Sequence, residues 1–509
     1  MAEATVTFEL GAESVTSVLD INLNVGTSIS GNISGILGDA HIVGDLNLTD
    51  NVYSEGLLTG IDTFHVQGNG FTWFFQNGGR ADLHGKVKGR WGQWGTGPKA
   101  ADTTGWVVGD RLAVAPTKVG VYVPSELVWS DWSMPRPVNS PDVTLVDGMT
   151  AKLEVVNLSQ SIVFENLARG FHFHDSAGIQ SLSDVKFLNC GTTGVLGNYP
   201  VHFHLLGDNS RGSLCERVVV EGGKNHVFVP HGSHGIDFIG CAAVNTVDDA
   251  FWWDAPTART HTANNSKDTS WDHCLVLGLT SSIHGTRIRL SAFRLEAGTG
   301  NRAVHCVAAG IDGGTSGNQC NGFHWPESAN NNVGGTVWDF HHNSVHNSRA
   351  VGFFSWQNDA QFDPTHIHEV LDLVAYNCVM AGVDHGAYVN KYHWRRMVLG
   401  PGVGRSIRSH AAPLSIDGDI LFEDFVSTAP FEIRKHRVNS SSFVIVRGSV
   451  PSVIVAETNE SDGNAGRYRF EDTGLVPAEF TFSTVHPQSV YKIIEGGVET
   501  HRWQSGAWS

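Results

Sequence analysis

Charged residues are scarce in this sequence, and basic residues are scarcer than acidic ones. They make up 17% of the 509 residues, below the roughly 25% of an average soluble protein. With 34 Lys and Arg against 51 Asp and Glu, the formal net charge is −17, which disfavours naked nucleic acid and anionic membranes as partners. Net charge excludes an acidic polysaccharide only weakly, because a local basic groove can lie on an acidic protein.

Long apolar runs and export signals are also missing. No stretch approaches the ~20 apolar residues of a membrane-spanning helix, so the sequence predicts no membrane span. Residues 1–10 contain neither a basic segment nor an apolar run, which predicts that this chain has no signal peptide. No long segment combines Ala, Leu, Glu and Lys at a helical period. The 58 glycines instead favour many short strands joined by tight turns, so we expect an all-β protein.

Cysteines are few and confined to one part of the chain. All seven lie between Cys190 and Cys378, and none of them forms a CxxC or finger-like pattern. An odd number spread in this way does not resemble a disulfide framework. We expect free, buried thiols that behave as small hydrophobic side chains.

A short phrase recurs around these cysteines, with apolar residues, then Asn, His or Gly, then Cys, small apolar residues and a turn. It occurs around Cys190, Cys241, Cys274, Cys306 and Cys378. Repeats at about 25–37 residues indicate a solenoid, and the alternation of apolar residues within each phrase indicates strands. The sequence therefore predicts a right-handed parallel β-helix, in which equivalent residues of successive coils lie ~4.8 Å apart. A β-sandwich or propeller is the rival interpretation, but it demands tight hairpins and a more regular period.

The distribution of the phrase also predicts a domain organisation. It divides the chain into an N-terminal β region (1–150), the β-helix (151–440) and a small C-terminal β module or cap (441–509).

Two His-x-His pairs carry the strongest chemical signal, His172 with His174 and His202 with His204. Residues i and i+2 of a strand point to the same side, so each pair presents two imidazoles together. The pairs are 30 residues apart, and His231 follows His204 by 27, which places these histidines on adjacent coils of a β-helix. Such a cluster suits a divalent metal ion and a general acid/base pair equally well.

The segment 194–208, GVLGNYPVHFHLLGD, resembles the Gly-x-Leu-Gly-Arg-Tyr-Pro-x-His-Phe-His-x-x-Gly-Asp signature of the eight-glycine-domain β-helix proteins. That family includes the cell-migration-inducing and transmembrane cell-surface hyaluronidases and fibrocystin-like proteins. Further matches occur in the family's order at 83–91, 105–117, 229–235, 249–254 and 322–326. The resemblance covers roughly residues 80–390. It implies polysaccharide cleavage, with calcium often invoked.

Candidate site residues follow from the histidine spacing together with this resemblance. We expect His204 and His231 to act as acid/base partners, with Asp249 and Asp254 as neighbouring carboxylates. His202 would orient the substrate, or complete a metal site (calcium or a transition metal) with His204 and His231. Contacts to the substrate are expected from His202 and from three further residues: Asp208, Trp252 and Trp253. Hydrolysis by two carboxylates and elimination beside a neutralised uronate both stay open.

Two departures from the family weaken the case for hyaluronan itself as the substrate. Asn198 stands where the family has a basic residue, and Asp249 stands where it has His. Both changes reduce the positive charge expected near the site.

Polysaccharide-handling β-helices work outside cells, yet no signal peptide is predicted here. A virion tail protein of a phage, released by lysis, reconciles these facts, and homotrimers and other tail proteins are then the expected partners. A secreted bacterial enzyme, or a chain whose signal has been removed, are alternatives. The alternative function is a non-catalytic minor tail or adhesion protein that binds a cell-surface glycan or a receptor.

Overall fold

The computed structural model describes most of the chain from residue 40 to residue 509. The described residues are 40–42, 45–48, 51–89, 91–94, 103–131, 134–176, 178–253, 265–280, 289–313, 319–325, 337–357, 366–387, 391–410, 416–434, 442–456, 465–483 and 485–509. Within these ranges, no helix is long and apolar enough to cross a membrane.

The chain winds into a right-handed parallel β-helix, as the repeat predicted. Each coil contributes a strand to a first, a second and a third face in turn, and each strand pairs in parallel with its equivalents on the neighbouring coils. Apolar side chains at every second position point inward and stack from coil to coil. Phe173, for example, lies with its ring centroid 4.8 Å from those of both Phe75 and Phe203.

The strands of the first face have the following bounds: β1 (Ala40–Ile42), β4 (Leu57–Asp62), β7 (Arg80–Gly85), β14 (Ser181–Ser183), β17 (Leu214–Glu216), β20 (Asp237–Ile239), β22 (Ser270–Asp272), β25 (Arg302–Val304), β28 (Asp339–His341), β31 (Ile367–Leu371), β34 (Lys391–Leu399), β36 (Ile420–Ser427), β38 (Val444–Arg447), β40 (Arg467–Glu471) and β42 (Val490–Glu495). The ends of β34 and β36 continue onto the second face. The other strands of the second face are β2 (Leu46–Asn47), β5 (Phe64–Gln67), β12 (Ile162–Glu165), β15 (Val185–Leu188), β18 (Val219–Glu221), β21 (Ala242–Val247), β23 (Leu275–Thr280), β26 (Val307–Asp312), β29 (Ser344–Ser348) and β32 (Val374–Cys378).

The third face consists of a five-stranded and an eight-stranded sheet, linked by bridges from Phe251 to Phe228 and Phe293. The five-stranded sheet contains β3 (Val52–Ser54), β6 (Trp73–Phe75), β13 (Phe171–His174), β16 (Val201–Gly207) and β19 (Phe228–Ser233). The eight-stranded sheet contains β24 (Arg289–Arg294), β27 (Gln319–Trp325), β30 (Val351–Gln357), β33 (Ala381–Ala387), β35 (Ile407–Ser409), β37 (Phe431–Ile433), β39 (Ile454–Ala456) and β41 (Phe480–Phe482). Short 3-10 turns span Asp208–Ser210 and Pro477–Glu479.

An antiparallel insert interrupts the coil between β7 and β12. Its strands are β8 (Gly92–Trp94), β9 (Arg111–Val114), β10 (Ser125–Val128) and β11 (Leu153–Asn157). The insert packs its own apolar side chains onto outward-facing residues of the second face, among them Val219, Leu275 and Val307. The second face is therefore buried on both sides.

The domain boundaries predicted at 150/151 and 440/441 do not coincide with changes of architecture. Strands within 40–85 already pair in parallel as coils of the β-helix, and β38, β40 and β42 continue it at the other end. The antiparallel strands β43 (Val498–Gln504) and β44 (Ala507–Trp508) then cap the last coil. The prediction differs from the structure because the cysteine phrase disappears in both terminal regions, although the alternation of apolar residues continues there.

All seven cysteines are free and buried, which confirms the interpretation of their spacing. Cys215, Cys241 and Cys274, for example, are fully shielded from solvent. The thiols fill the interior as small apolar side chains.

Candidate functional site

The histidines singled out by the sequence lie on the outer side of the third face. Inward-pointing Phe171, Phe173 and Phe203 anchor the strands in the core. The intervening positions of β13 and β16 therefore point outward. Strand register places His172 beside His202, and His174 beside His204.

The next coil extends this arrangement, because β19 places His231 beside His204. The ligand atoms of His202, His204 and His231 all lie within 4.8 Å of one another. The Nδ1 atoms of His172 and His202 are 3.0 Å apart. The parallel register thus brings five imidazoles from three coils into one cluster.

A groove with a volume of about 580 Å³ lies over this cluster, within the roughly 300–1,000 Å³ range of ligand sites. We call it the histidine groove. Its lining residues are Tyr53, Phe74, Gln76, Arg169, His172, His174, Leu196, Gly197, Tyr199, His202, His204 and His231. No carboxylate belongs to this lining, as far as the described residues extend.

Burial keeps His172, His202 and His204 neutral at neutral pH. It lowers the pKa of His172 to about 3 and that of His204 to about 4, and it holds the pKa of His202 well below 6.5. Repulsion from neighbouring imidazoles adds to the effect on all three residues, and Arg169 lowers the pKa values of His172 and His204 further. Two buried ring nitrogens, Nε2 of His202 and Nδ1 of His204, accept or donate no hydrogen bond among the described residues. They are available to a ligand.

The backbone is irregular directly after His204. The register between β16 and β19 shifts between His204 and Gly207, and Leu205 has a φ of 56°. A positive φ is strained for a bulky side chain, and bulges of this kind often occur beside functional sites, where they re-aim a side chain.

Arg169 is the functional residue that sequence reasoning missed. Its Nε donates a hydrogen bond of 2.6 Å to Oδ1 of Asn198, and its guanidinium lies 5.5 Å from the ring centroid of Phe74. Asn198 is the position at which the family's basic residue is absent, so a cation from the preceding coil takes its place. Arg169 therefore supplies a positive charge beside Asn198, and it lies 29 residues upstream, about one coil length away.

The structure does not bring Asp249 to the histidines. Its Oδ1 accepts a 2.7 Å hydrogen bond from the backbone N–H of Ser291, and its Oδ2 lies 3.6 Å from Nη1 of Arg294. Because Phe251 is bridged to Phe228, Asp249 stands five positions before the level of His231, or roughly 16 Å along the strand direction. The prediction that Asp249 is a carboxylate next to His204 and His231 is therefore corrected. Asp254 lies outside the described residues.

The two tryptophans expected to contact the substrate are buried instead. Trp253 is 0% exposed, and its indole N–H donates to the carbonyl of Ala297 at 3.1 Å. Trp252 is 1% exposed and stacks on His226 with ring centroids 3.9 Å apart. It also contacts Tyr199 edge-on, so it supports a residue that lines the groove. Both are corrected from substrate contacts to packing residues, because Trp253 points into the core and Trp252 is covered by His226 and Tyr199.

Asp208 is exposed but does not line the histidine groove. Its Oδ1 accepts a 2.6 Å hydrogen bond from Nε of Arg211, which lowers the pKa of this carboxyl. Arg211 in turn reaches Asp268 on another coil. This ion-pair chain on the surface gives Asp208 a local partner in place of the expected substrate contact.

Comparisons with known proteins bear on the same segment. This chain is similar to the solved structure of the catalytic unit of a thermostable GH87 alpha-1,3-glucanase from Streptomyces thermodiastaticus, with 10% sequence identity and a TM-score of 0.23. The match covers 66% of this chain and 56% of that chain, and it carries no inference about activity. No curated protein matches at a significant level. Residues 169–265 match the family described as CEMIP beta-helix. This range contains Arg169 and all five groove histidines, so the resemblance of this chain to the CEMIP-type β-helix family is confirmed for the segment that builds the site.

Proposed function

We propose that this protein binds an acidic polysaccharide in the histidine groove and cleaves it by elimination, with His204 as the base. The observation that carries the proposal is the composition of the groove. Among the described lining residues, imidazoles lie beside one cation, Arg169, and beside the aromatic rings of Tyr53 and Phe74. A guanidinium matches a carboxylate, and aromatic faces suit sugar rings, so a chain of uronate residues complements this lining.

The same composition favours elimination over hydrolysis. Glycoside hydrolysis generally uses two carboxyl groups on either side of the scissile bond, whereas the described lining of the groove provides imidazoles. The ideal pKa of a general base lies near the working pH, and its free lone pair must be present at that pH. His204 meets the second condition, because its pKa of about 4 leaves it neutral at pH 7.

The proposed reaction needs a base, an acid and a cation. Arg169 pairs with the uronate carboxylate and so acidifies the adjacent C5–H bond. Nδ1 of His204 takes the C5 proton, the electron pair forms the C4=C5 double bond, and the C4–O bond breaks. Protonated His204 then returns this proton to the leaving oxygen, so it acts first as base and then as acid, with His231 next to it at a ring-centroid distance of 5.2 Å. The products are a new chain end and an unsaturated uronate.

Ultraviolet absorbance of the unsaturated product tests the proposal on a panel of uronate polysaccharides, hyaluronan among them, with a neutral glucan as control. We expect the wild type to form the product and His204→Gln to reduce turnover at least about 100-fold, as general-base removal typically does. His174→Gln is the matched control: it lies on the same ladder but is exposed, and it should retain activity. New reducing ends without unsaturation would refute elimination. Binding without any cleavage would favour the adhesion alternative.

A second use of the cluster is favoured by the close approach of the three ligand atoms on His202, His204 and His231. Three imidazoles fit a zinc-like transition metal ion, with a further position left open. They do not fit calcium, which prefers six to eight oxygen ligands. Because a bound ion would occupy the lone pair that the base needs, the two uses predict opposite responses. A chelator should leave elimination intact or increase it if His204 is the base, and should abolish activity if the ion is required.

We further propose that the protein acts outside the cell, since that is where such glycans are found. Attachment to a virion tail and a homotrimeric state remain predictions from the sequence. Mass spectrometry of purified particles and light scattering of the purified protein test them. Particles without this chain would remove the virion assignment, and a monomeric mass would remove the trimer.

A further inference from the structure

A second group of histidines lies at the corner between the first and second faces, away from the histidine groove. His273, His305 and His342 directly follow β22, β25 and β28, at equivalent positions on three successive coils. Each adopts the left-handed conformation, with φ values of 52°, 55° and 57°. The parallel register therefore stacks their side chains above one another.

The backbone alone does not call for histidine at this corner. The two coils before His273 have Arg217 and Gly240 at the same place, and the coil after His342 has Asp372, with φ values of 52°, 62° and 56°. Gly adopts this conformation without steric cost. A left-handed conformation strains a residue that carries a Cβ, although Asn, Asp and His tolerate it better than most. Three consecutive imidazoles at a corner that neighbouring coils fill with Arg, Gly or Asp point to a role for the side chains.

Two of these imidazoles, His273 and His305, converge on the carboxylate of Asp272. The rings of His273 and His305 stack with centroids 4.4 Å apart, and His342 follows at 5.2 Å. Oδ1 of Asp272 lies 2.5 Å from Nδ1 of His273 and 4.0 Å from Nδ1 of His305. The ligand atoms of Asp272, His273 and His305 all lie within 4.8 Å of one another. Two imidazoles and one carboxylate from two coils thus face one point.

The cluster opens onto its own groove, formed between the corner and segment 145–152 of the insert. This groove has a volume of about 660 Å³, and its lining includes Trp91, His273, His305 and His342. The side chains of Asp272, His273 and His305 are each 27–44% exposed. An ion held by them would therefore have coordination positions facing the groove.

We propose that Asp272, His273 and His305 bind a divalent transition-metal ion whose open coordination positions face this groove. Two imidazoles with one carboxylate form a three-ligand set that leaves a position for water or another ligand. Imidazole nitrogen selects zinc-like ions over calcium and magnesium, which prefer oxygen. The ion takes the place of the hydrogen bond between Asp272 and His273. This site is independent of the function proposed for the histidine groove.

Co²⁺ is a suitable probe, because its visible absorption reports on the ligands. The full chain carrying His204→Gln, which disables the groove cluster, is titrated with Co²⁺ by absorption and calorimetry. We expect one equivalent to bind, Zn²⁺ to displace it in line with the usual order of affinities, and Ca²⁺ to leave it in place. Adding His305→Asn should weaken binding at least tenfold. Asn tolerates the left-handed corner, so the coil is preserved.

His342→Asn in the same background is the matched control. It changes the same corner position one coil further along but removes no proposed ligand, so Co²⁺ binding should be unchanged. Asp272→Asn provides a second ligand variant whose backbone is extended, and it should also weaken binding. The proposal is overturned if the His204→Gln chain binds no Co²⁺, if both ligand variants bind it as tightly as their parent, or if Ca²⁺ displaces it.

Discussion

Acidification should destabilise the fold through the buried histidines of the groove. An imidazole of the unfolded chain takes up its proton near pH 6.5, whereas the pKa of His172 in the folded protein is about 3. Between these values the unfolded state binds one more proton, so the free energy of unfolding decreases as the pH falls. The contribution of neutral His172 to the free energy of unfolding is fully present above pH 6.5 and is lost progressively towards pH 3. Each pH unit corresponds to about 1.4 kcal/mol, so lowering the pH from 6.5 to 5 costs about 2 kcal/mol.

Urea unfolding followed by tryptophan fluorescence measures this effect at pH 7 and pH 5, with a chelator present so that no metal ion competes for the imidazoles. The test variant is His172→Gln. We expect the wild type to lose about 2 kcal/mol more than the variant between the two pH values, whatever their difference at pH 7. His501→Gln, in the C-terminal hairpin, serves as a control and should match the wild type. Equal pH dependence of wild type and His172→Gln would refute the account of a buried neutral imidazole.

Three further changes have expected outcomes. Arg169→Gln should weaken binding of a uronate polysaccharide by roughly 10–100-fold, because a hydrogen bond to a charged group contributes about 1.5–3 kcal/mol. Calorimetry measures it, and Arg211→Gln, outside the groove, should have no effect. Trp253→Ala should destabilise the fold by about 3–5 kcal/mol as a large buried side chain is removed; an unchanged melting temperature would contradict its core position. Leu205→Gly should raise the melting temperature modestly, because it relieves a left-handed residue that costs about 1–2 kcal/mol, and a lower value would show that no strain is stored there.

The β-helix and the meeting of the histidines could be predicted because both depend on a repeat. Once coils of about 30 residues are assumed, His174, His204 and His231 must fall on one ladder, and the strand register shows that they do. The free cysteines were predictable for the same reason.

The partners of the histidines were less predictable, because they depend on offsets within a coil. Asp249 and Trp253 lie in the part of their coil that passes close to the histidines. A shift of a few residues along the coil decides whether such a side chain reaches the groove or the core. Arg169 was overlooked because its role comes from a contact between coils, with Asn198. The insert was read as part of a separate domain, since nothing in its local pattern shows that it returns to the second face.

The central claim is that an acidic glycan occupies the groove over the five imidazoles. A crystal structure of the inactive His204→Gln variant, soaked with a uronate oligosaccharide, tests it most directly. The account predicts sugar density across the third face, with a carboxylate paired to Arg169 and a ring close to His202 and His231. Sugar bound elsewhere on the β-helix, with this groove holding only water, would contradict it.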